Sequence, residues 1–370
     1  MTRLSDKYGG INLAQGFPDF PAPAELKDAA AQAILADENQ YSITWGSLRL
    51  REAIAQKVLK YNGIKADPDR EITVTCGASE AMMSALLSTV NPGDEVIVLE
   101  PCYENYVPGI AMAGGKVAYV SLEEPDFRLD DERLGNAFSA RTRAIILNTP
   151  NNPTGRVFDR DELSAIASLC GEFDVVAITD EIYEHITFDG HEHISIATLP
   201  GMRERTITIS ALSKTYSVTG WRVGYAIAAP QLTNALRKVH DYLTVCAPAP
   251  LQEAAVVALS FPDSYYAHLR SAYARRRHLL LDALREVGFR CFEPEGAYYV
   301  MTDFRGLSNL DDVRYAHKLV KEAGVATVPG TSFYHRKELG RTKLRFSFPK
   351  REETLQEVRR RLVEFAGKSG

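Results

Sequence analysis

The sequence has no long hydrophobic run. No apolar stretch approaches the roughly 20 residues that a transmembrane helix needs, and the mean hydropathy is −0.19. The first ten residues, MTRLSDKYGG, contain no apolar core of the kind that marks a signal peptide. These features predict a cytoplasmic protein with no membrane partner.

Cysteine is scarce, with five residues in a chain of 370. They lie far apart, at Cys76, Cys102, Cys170, Cys246 and Cys291. No Cys-x-x-Cys pair is present for zinc or redox chemistry, and the dense histidine segment His191-Glu192-His193 has no nameable third ligand. We therefore expect reduced thiols and no metal site.

Positive charge is not in excess. Lys and Arg number 43 against 48 Asp and Glu, which gives a net charge of −5. This balance provides no basic stripe for a nucleic-acid backbone, so we expect no nucleic-acid partner. A local anion site is still compatible with it.

The motifs of several common enzyme classes are also missing. None of the 25 glycines lies two positions from another, so the G-x-G of a dinucleotide fingerprint is absent. The patterns G-x-x-x-x-G-K-[ST], H-E-x-x-H and G-x-S-x-G do not occur either. The function must therefore be sought in other patterns.

What the chain does contain is an alternation of apolar strands and helices, within an ordinary globular composition of 45% hydrophobic and 25% charged residues. Helical patterns such as Ser79–Val90 and Arg160–Phe173 lie between the strands. The predicted strands are Ile72–Thr75, Glu95–Leu99, Val117–Val120, Ala144–Asn148, Val175–Thr179, Thr206–Ser210 and Val223–Ala228. This order predicts an α/β fold with a mostly parallel seven-stranded sheet and helices on both faces.

The last third of the chain has a different pattern. It predicts helices at Ala272–Val287, Asp311–Ala323 and Arg351–Phe365, and strands at Gly296–Asp303, Val325–Val328 and Lys343–Phe348. We expect a large domain over residues 40–260. A small α+β domain is expected over residues 1–39 and 261–370.

Two strand ends carry residues suited to an amine and an anion site. Lys214 follows a strand in a Ser/Gly-rich turn with no acid nearby in sequence, so it is a candidate nucleophile, the alternative being an ordinary loop lysine. Arg222, eight residues later, is a candidate phosphate ligand. Gly77, Ala78 and Ser79 join another strand to a helix, where free N–H groups bind anions or Ser79 merely caps the helix.

Two further strand ends carry an acid and an amide. Asp180 ends the apolar strand Val175–Thr179, where a carboxylate needs either a protonated ligand or a structural ion pair. Asn152 lies in a Pro/Gly turn that either directs its amide into the same crevice or is simply a turn. An amine, an anion site, an acid and an amide in one crevice are the requirements of pyridoxal 5′-phosphate (PLP).

Several phrases now resemble one enzyme family over nearly the whole chain. They are NLAQGFPDF at 12–20, NTPNNPTG at 148–155, DEIY at 180–183, SKTYSVTGWRVGY at 213–225 and VPGTSFY at 328–334. In this order they resemble the class I/II aminotransferases of PLP fold type I, in the methionine, aromatic, kynurenine and aspartate branch. One departure is Ala211, where many relatives have serine.

The resemblance implies roles for the matching residues. Lys214 would form the imine with PLP and carry the proton, while Asp180 would keep the ring nitrogen protonated. Tyr183 and Asn152 would bind the phenolate oxygen and Tyr103 would stack on the ring. The phosphate would take Gly77, Ala78, Ser79 and Arg222.

It also implies a substrate site and a partner subunit. Arg345 would bind the substrate α-carboxylate, helped by Asn152 and the backbone of Gly16. Tyr41 would reach the phosphate of the partner subunit, which implies a homodimer with shared active sites. Taken singly, Tyr41 and Tyr103 would be structural aromatics, Arg345 a surface residue and Gly16 a turn glycine.

The expected reaction is ping-pong transfer of an amino group from an L-amino acid to a 2-oxo acid. Residues 239–269 contain no Lys or Arg for a distal carboxylate, so we expect a large neutral donor, aromatic or methionine-like. Aspartate aminotransferase is one alternative. A PLP-dependent C–S lyase or aminocyclopropane-forming lyase is another, because such enzymes use the same residues.

Overall fold

The computed structural model describes residues 1–369. Apolar strands β2–β8 form a seven-stranded sheet in the order β2-β8-β7-β6-β5-β3-β4, in which only β8 is antiparallel to its neighbours. The strands of the chain are β1 (Ile11–Asn12), β2 (Ile72–Thr75), β3 (Glu95–Glu100), β4 (Lys116–Ser121), β5 (Thr142–Asn148), β6 (Val176–Asp180), β7 (Thr206–Ala211), β8 (Gly224–Ile227), β9 (Arg290–Phe292), β10 (Tyr299–Asp303), β11 (Val325–Ala326), β12 (Val328–Pro329) and β13 (Lys343–Ser347). The predicted mostly parallel sheet is confirmed.

Helices cover both faces of this sheet. The α-helices of the described chain are α1 (Thr2–Lys7), α2 (Ala24–Leu35), α3 (Leu48–Asn62), α4 (Ala78–Thr89), α5 (Tyr106–Met112), α6 (Asp131–Ala137), α7 (Arg160–Glu172), α8 (Leu212–Thr215), α9 (Pro230–Leu243), α10 (Ala249–Leu259), α11 (Asp263–Glu286), α12 (Asp312–Lys318), α13 (Lys337–Gly340) and α14 (Glu352–Ser369). Within residues 1–369, no helix has the length and apolar character needed to cross a bilayer.

Alternate residues of the central strands enter two different cores. On β5, Ile145 and Leu147 pack with α7, whereas Ala144 and Ile146 pack with α4. A strand buried on both faces has no polar alternation, which is why apolar residues predominate in these segments.

A second sheet lies in the C-terminal third, with the antiparallel order β12-β13-β10-β9. Helices α11 and α14 pack on it through a core that includes Leu284, Val300, Phe346 and Leu362. The predicted strand Val325–Val328 is two strands, because the chain leaves β1 for β13 at Thr327, whose hydroxyl donates to Arg345 O at 2.6 Å.

Residues 13–17 connect the two sheets. Leu13 O accepts a hydrogen bond from Ser347 N at 2.8 Å, and Phe17 O accepts one from Lys350 Nζ at 2.8 Å. Their backbone is thereby fixed against strand β13 and the residues that follow it. The same stretch reaches the carboxyl ends of β5, β6 and β7, where a cavity opens.

Candidate active site

A cavity of about 800 Å³ opens at the carboxyl edge of the seven-stranded sheet. The register places Asn148 beside Asp180, and Asp180 beside Ile209, so the ends of three strands meet there. The predicted site residues that line the cavity are Gly16, Ala78, Ser79, Tyr103, Asn152, Asp180, Tyr183, Lys214, Arg222 and Arg345. Gly77 lies just behind this lining, and Tyr41 is 81% exposed and lies away from it.

Lys214 lies in the short helix α8, directly after β7. Its Nζ donates to Gly16 O at 3.3 Å, and it forms no salt bridge within the part of the chain that is described. Burial lowers the pKa of Lys214 to about 8; Asp180 opposes this effect, whereas Arg222 and Arg345 add to it. A substantial fraction of the amine is therefore neutral, and nucleophilic, near physiological pH.

Asp180 ends β6 with its carboxylate buried in the cavity wall. Tyr106 donates its hydroxyl to Asp180 Oδ2 at 2.7 Å, and the backbone N–H of Ile182 donates to Oδ1 at 3.3 Å. Burial raises the pKa of Asp180, and these two hydrogen bonds and Lys214 oppose the rise. No described cation forms a salt bridge with it, so a protonated ring nitrogen suits this position.

Backbone geometry forms the anion cradle at the start of α4. A Cβ on Gly77 would lie 2.4 Å from Arg222 Nη2, and a Cβ on Gly224 would lie 2.7 Å from Ala78 N. Arg222 has a positive φ of 54° and donates to Thr219 O at 3.0 Å. The two glycines therefore allow the Arg222 guanidinium and the N–H groups at the start of α4 to face the same small volume. That volume fits a phosphate.

Ala211 offers no hydroxyl to the phosphate, and its neighbour Ser210 does not supply one in its place. Ser210 donates to Glu184 Oε1 at 2.7 Å, on the side of the sheet away from the cavity. Ser213 lines the cavity and offers the alternative hydroxyl.

Contacts within the chain hold the Arg345 guanidinium in position. Its Nη1 donates to Asn152 Oδ1 and its Nη2 to Ala14 O, both at 2.7 Å. The guanidinium lies between the rings of Tyr299 and Phe333, at 4.3 and 4.8 Å from their centroids. Its buried Nε has no hydrogen-bond partner among the described residues, so the group has donor capacity that suits a carboxylate.

Tight packing surrounds the remaining predicted residues. The hydroxyls of Tyr183 and Tyr299 are 2.9 Å apart. A Cβ on Gly16 would lie 2.2 Å from Tyr299 Oη, and the Gly16 carbonyl accepts from Tyr298 Oη at 2.6 Å. Glycine is thus the residue that lets this backbone approach the cavity.

Sequence reasoning missed Tyr106, Tyr299 and Asn148. Tyr106 is three residues after Tyr103, but the start of α5 between them was not predicted. Tyr299 reaches the site only through the pairing of β10 with β13. Asn148 donates to Asp180 O at 2.8 Å and accepts from Asn152 N at 2.6 Å, a contact that the register of β5 and β6 would have indicated.

The fold and the cavity define an α/β enzyme of the fold type I class, and comparison with known proteins identifies its family. The profile described as "Aminotransferase class I and II" matches residues 8–362. The methionine aminotransferase of Escherichia coli (strain K12) is 38% identical over 362 residues, covering 98% of this chain and 94% of that protein.

Two further relatives agree. Kynurenine--oxoglutarate transaminase 1 of Homo sapiens is 38% identical, covering 97% of this chain and 93% of that protein. The solved structure of N-succinyldiaminopimelate aminotransferase from Mycobacterium tuberculosis is 40% identical and has a TM-score of 0.96, with 99% of this chain and 96% of that chain covered. The chain belongs to the class I and II aminotransferases, a family whose members use PLP.

Proposed function

We propose that this aminotransferase binds PLP at the cavity and that Lys214 is its catalytic amine. The observation that carries the proposal is the meeting of Lys214, Asp180, Arg222 and Arg345 around one cavity. PLP supplies an aldehyde that joins amino groups and a ring that accepts electrons. The protein's task is to hold that ring and to move a proton.

Each polar group has a part in that task. Arg222, Ser79 and the backbone of Gly77 and Ala78 bind the phosphate, and Asp180 holds a proton on the ring nitrogen. Tyr183 and Asn152 donate to the ring oxygen, and Tyr103 covers the ring face. Lys214 would remove the proton from the substrate Cα and deliver it to C4′, the aldehyde carbon of PLP.

Arg345, with Asn152 and the backbone of Gly16, binds the substrate α-carboxylate. The buried, ring-flanked guanidinium orients the substrate so that its Cα faces Lys214. This orientation contributes to rate because a fixed donor and acceptor need no further search.

We further propose that the donor side chain is large and neutral, aromatic or methionine-like. Among the described residues the cavity has three basic side chains, Lys214, Arg222 and Arg345, and each already has a role. Its other charged lining residue besides Asp180 is Glu104, which is exposed and repels an anionic side chain. The apolar part of the lining includes Phe17, Met82, Met83, Leu86 and Met112.

A substrate panel tests the donor. We expect methionine and aromatic amino acids to be used at least about tenfold better than aspartate, as judged by kcat/KM. Aspartate as the preferred donor would overturn the proposal. Keto acid release that continues beyond one equivalent per active site without an added 2-oxo acid would instead indicate a lyase.

Absorbance spectroscopy tests the cofactor. The protein with PLP should show a visible band that bleaches when a donor is added. Lys214→Ala should bind PLP without that band and should lose nearly all turnover. Turnover of this variant at the parent rate would show that the nucleophile is another residue.

We propose that the protein is a cytoplasmic homodimer with shared active sites. Each chain would have a large domain (40–260) and a small domain (1–39 and 261–370). Tyr41 and Tyr242 are 81% and 94% exposed, and Ile43 and Val245 are also exposed, which suits a surface covered by a second copy. The five cysteines are free thiols, in keeping with a reducing compartment.

A further inference from the structure

A buried polar cluster lies behind the turn that follows β6, on the side away from the cavity. Glu181 and Glu184 are both buried, and neither lines the cavity. His193 Nε2 lies 2.8 Å from Glu181 Oε2, and Lys57 Nζ lies 2.6 Å from Glu184 Oε1. Two carboxylates, an imidazole and an ammonium group are thus buried together.

Asn62 joins the two halves of this group. Its Oδ1 accepts from Lys57 Nζ at 2.9 Å, and its Nδ2 donates to Glu184 Oε2 at 2.7 Å and to Glu181 Oε2 at 3.4 Å. Both Lys57 and Asn62 come from α3. We call Lys57, Asn62, Glu181, Glu184 and His193 the reverse cluster. The hydroxyls that complete its hydrogen bonds are those of Thr179, Ser195 and Ser210.

The reverse cluster already contains its own cation. Ligand atoms of Glu181, Glu184 and His193 lie within 4.8 Å of one another, a spacing that a metal ion also favours. Here the ammonium of Lys57 and the amide of Asn62 bind the carboxylate oxygens in place of a metal ion. Burial raises the pKa of Glu184, but the charge of Lys57 and its hydrogen bond outweigh burial and lower the pKa to about 2. Within the described residues, only His193 Nδ1 of this cluster is buried without a hydrogen-bond partner.

His185 adds no charge to this group. Its ring lies between those of Tyr61 and Tyr266, with centroids 4.0 and 4.3 Å away. Burial, aided by Lys57, lowers the pKa of His185 to about 3, so the ring is neutral at physiological pH. The charge on Glu184 is therefore balanced chiefly by Lys57.

The residues of the turn divide between its two sides. Asp180 and Tyr183 line the cavity, whereas Glu181 and Glu184 enter the reverse cluster. The turn is short: Glu184 N donates to Glu181 O at 2.9 Å, and Tyr61 Oη donates to Glu184 O at 2.6 Å. Fixing the side chains on one face therefore fixes the direction of those on the other.

We propose that Lys57, acting through Glu184, is a positioning residue for the cofactor-binding pair Asp180 and Tyr183. The proposal rests on the proposed function, because it assigns the pair to PLP. Lys57 contacts neither cofactor nor substrate and acts only by holding the turn. Outer contacts of this kind are worth about 10- to 100-fold in ligand affinity or activity when removed.

Two single variants test the positioning role. Lys57→Met and Glu184→Gln should each weaken PLP binding by about tenfold and lower kcat by a similar factor. The KM for the amino donor should stay at the parent value, because Arg345 is not touched. Fluorescence titration of the cofactor-free protein gives the affinity, and steady-state kinetics of the PLP-loaded enzyme give kcat and KM.

Arg51→Met is the matched control. Arg51 is a buried cation on the same helix and pairs with Asp69 at 2.6 Å, but neither residue lines the cavity. It should lose thermal stability while keeping the parent PLP affinity and kcat. If Lys57→Met fails to fold, Asn62→Ala makes the same test with a smaller change.

Three results would overturn the inference. The first is parent PLP affinity and kcat in the folded variants. The second is opposite changes in Lys57→Met and Glu184→Gln, which would indicate that charge acts through space. The third is an equal loss of PLP affinity and kcat in the Arg51→Met control. A parent protein that neither binds PLP nor transfers amino groups would instead refute the proposed function.

Discussion

Lys214 shows what the chemistry requires of a single residue. An ammonium group is held among Arg222 and Arg345 with no paired carboxylate, so the folded state disfavours its charged form. Because the charged form is disfavoured, Lys214 supplies the neutral amine that the reaction needs. Activity and stability are therefore opposed at this position.

The first prediction concerns this opposition in the cofactor-free protein. The pKa of Lys214 is lowered from 10.5 to about 8, so the destabilisation is complete below pH 8 and disappears as the pH rises to 10.5, where both states are neutral. Lys214→Met should therefore be more stable than the parent by about 1 to 3 kcal/mol at pH 7.

Denaturant unfolding at several pH values measures this difference. The advantage of Lys214→Met should shrink between pH 8 and pH 10.5. Lys238→Met, a change at an exposed lysine on α9, should show a difference that does not vary in this way. An advantage that is constant with pH would contradict the assigned cause.

The second prediction concerns Arg345. Lysine keeps the charge but loses the fork held by Asn152 and Ala14, and it can make only one of the two parallel bonds to a carboxylate. Arg345→Lys should raise the KM of donor and 2-oxo acid by about 10- to 100-fold. Arg341→Lys, at an exposed arginine four residues earlier, should leave both unchanged.

At the scale of elements, the start of α4 depends on a glycine for its function as an anion cradle. Gly77 has a φ of +78° and lies where a Cβ would meet Arg222 at 2.4 Å. Gly201 has a φ of +76° but has no atom within 4 Å of its Cβ position. The two glycines share a positive φ and differ in contact with the cradle.

The third prediction uses this pair. Gly77→Ala and Gly201→Ala should each lose about 1 to 2 kcal/mol of stability because of the positive φ. Only Gly77→Ala should also weaken PLP binding, by about tenfold, since its methyl group displaces the Arg222 guanidinium. Equal PLP affinities in the two variants would show that Arg222 does not bind the phosphate.

Elements also show how far sequence could reach. The strands from β2 to β8 were predictable because apolar and β-branched residues predominate in them, and strand ends located Lys214 and Asp180. Tyr299 and the reverse cluster were not predictable, because they depend on which strands and helices meet across the fold. Local periodicity has no information on contacts between residues more than 100 positions apart.

At the scale of the whole molecule, one chain leaves the proposed site incomplete. Tyr41 is exposed in the single chain and does not line the cavity. In the proposed homodimer its hydroxyl serves the partner's phosphate. The unit of function is then the pair of chains and not one of them.

The fourth prediction tests that unit. Tyr41→Ala should weaken PLP binding by about tenfold, while the variant, like the parent, should sediment as a dimer. Tyr242→Ala, on the same exposed surface, serves as the control for a change in aromatic area. Mixing Tyr41→Ala with Lys214→Ala chains should restore activity, because one site of each hybrid then has both residues. No gain on mixing would mean that Tyr41 does not act across subunits.

The stretch 13–17 has a consequence for biosynthesis. Its carbonyls accept from Arg345, Ser347 and Lys350, and the hydrogen bond from Lys350 to Phe17 spans 333 positions. At about 5 to 20 residues per second, a ribosome takes roughly 20 to 70 s to make that span. Residues 13–17 are made early and their partners are made last. The large sheet therefore has time to fold before its substrate pocket can close.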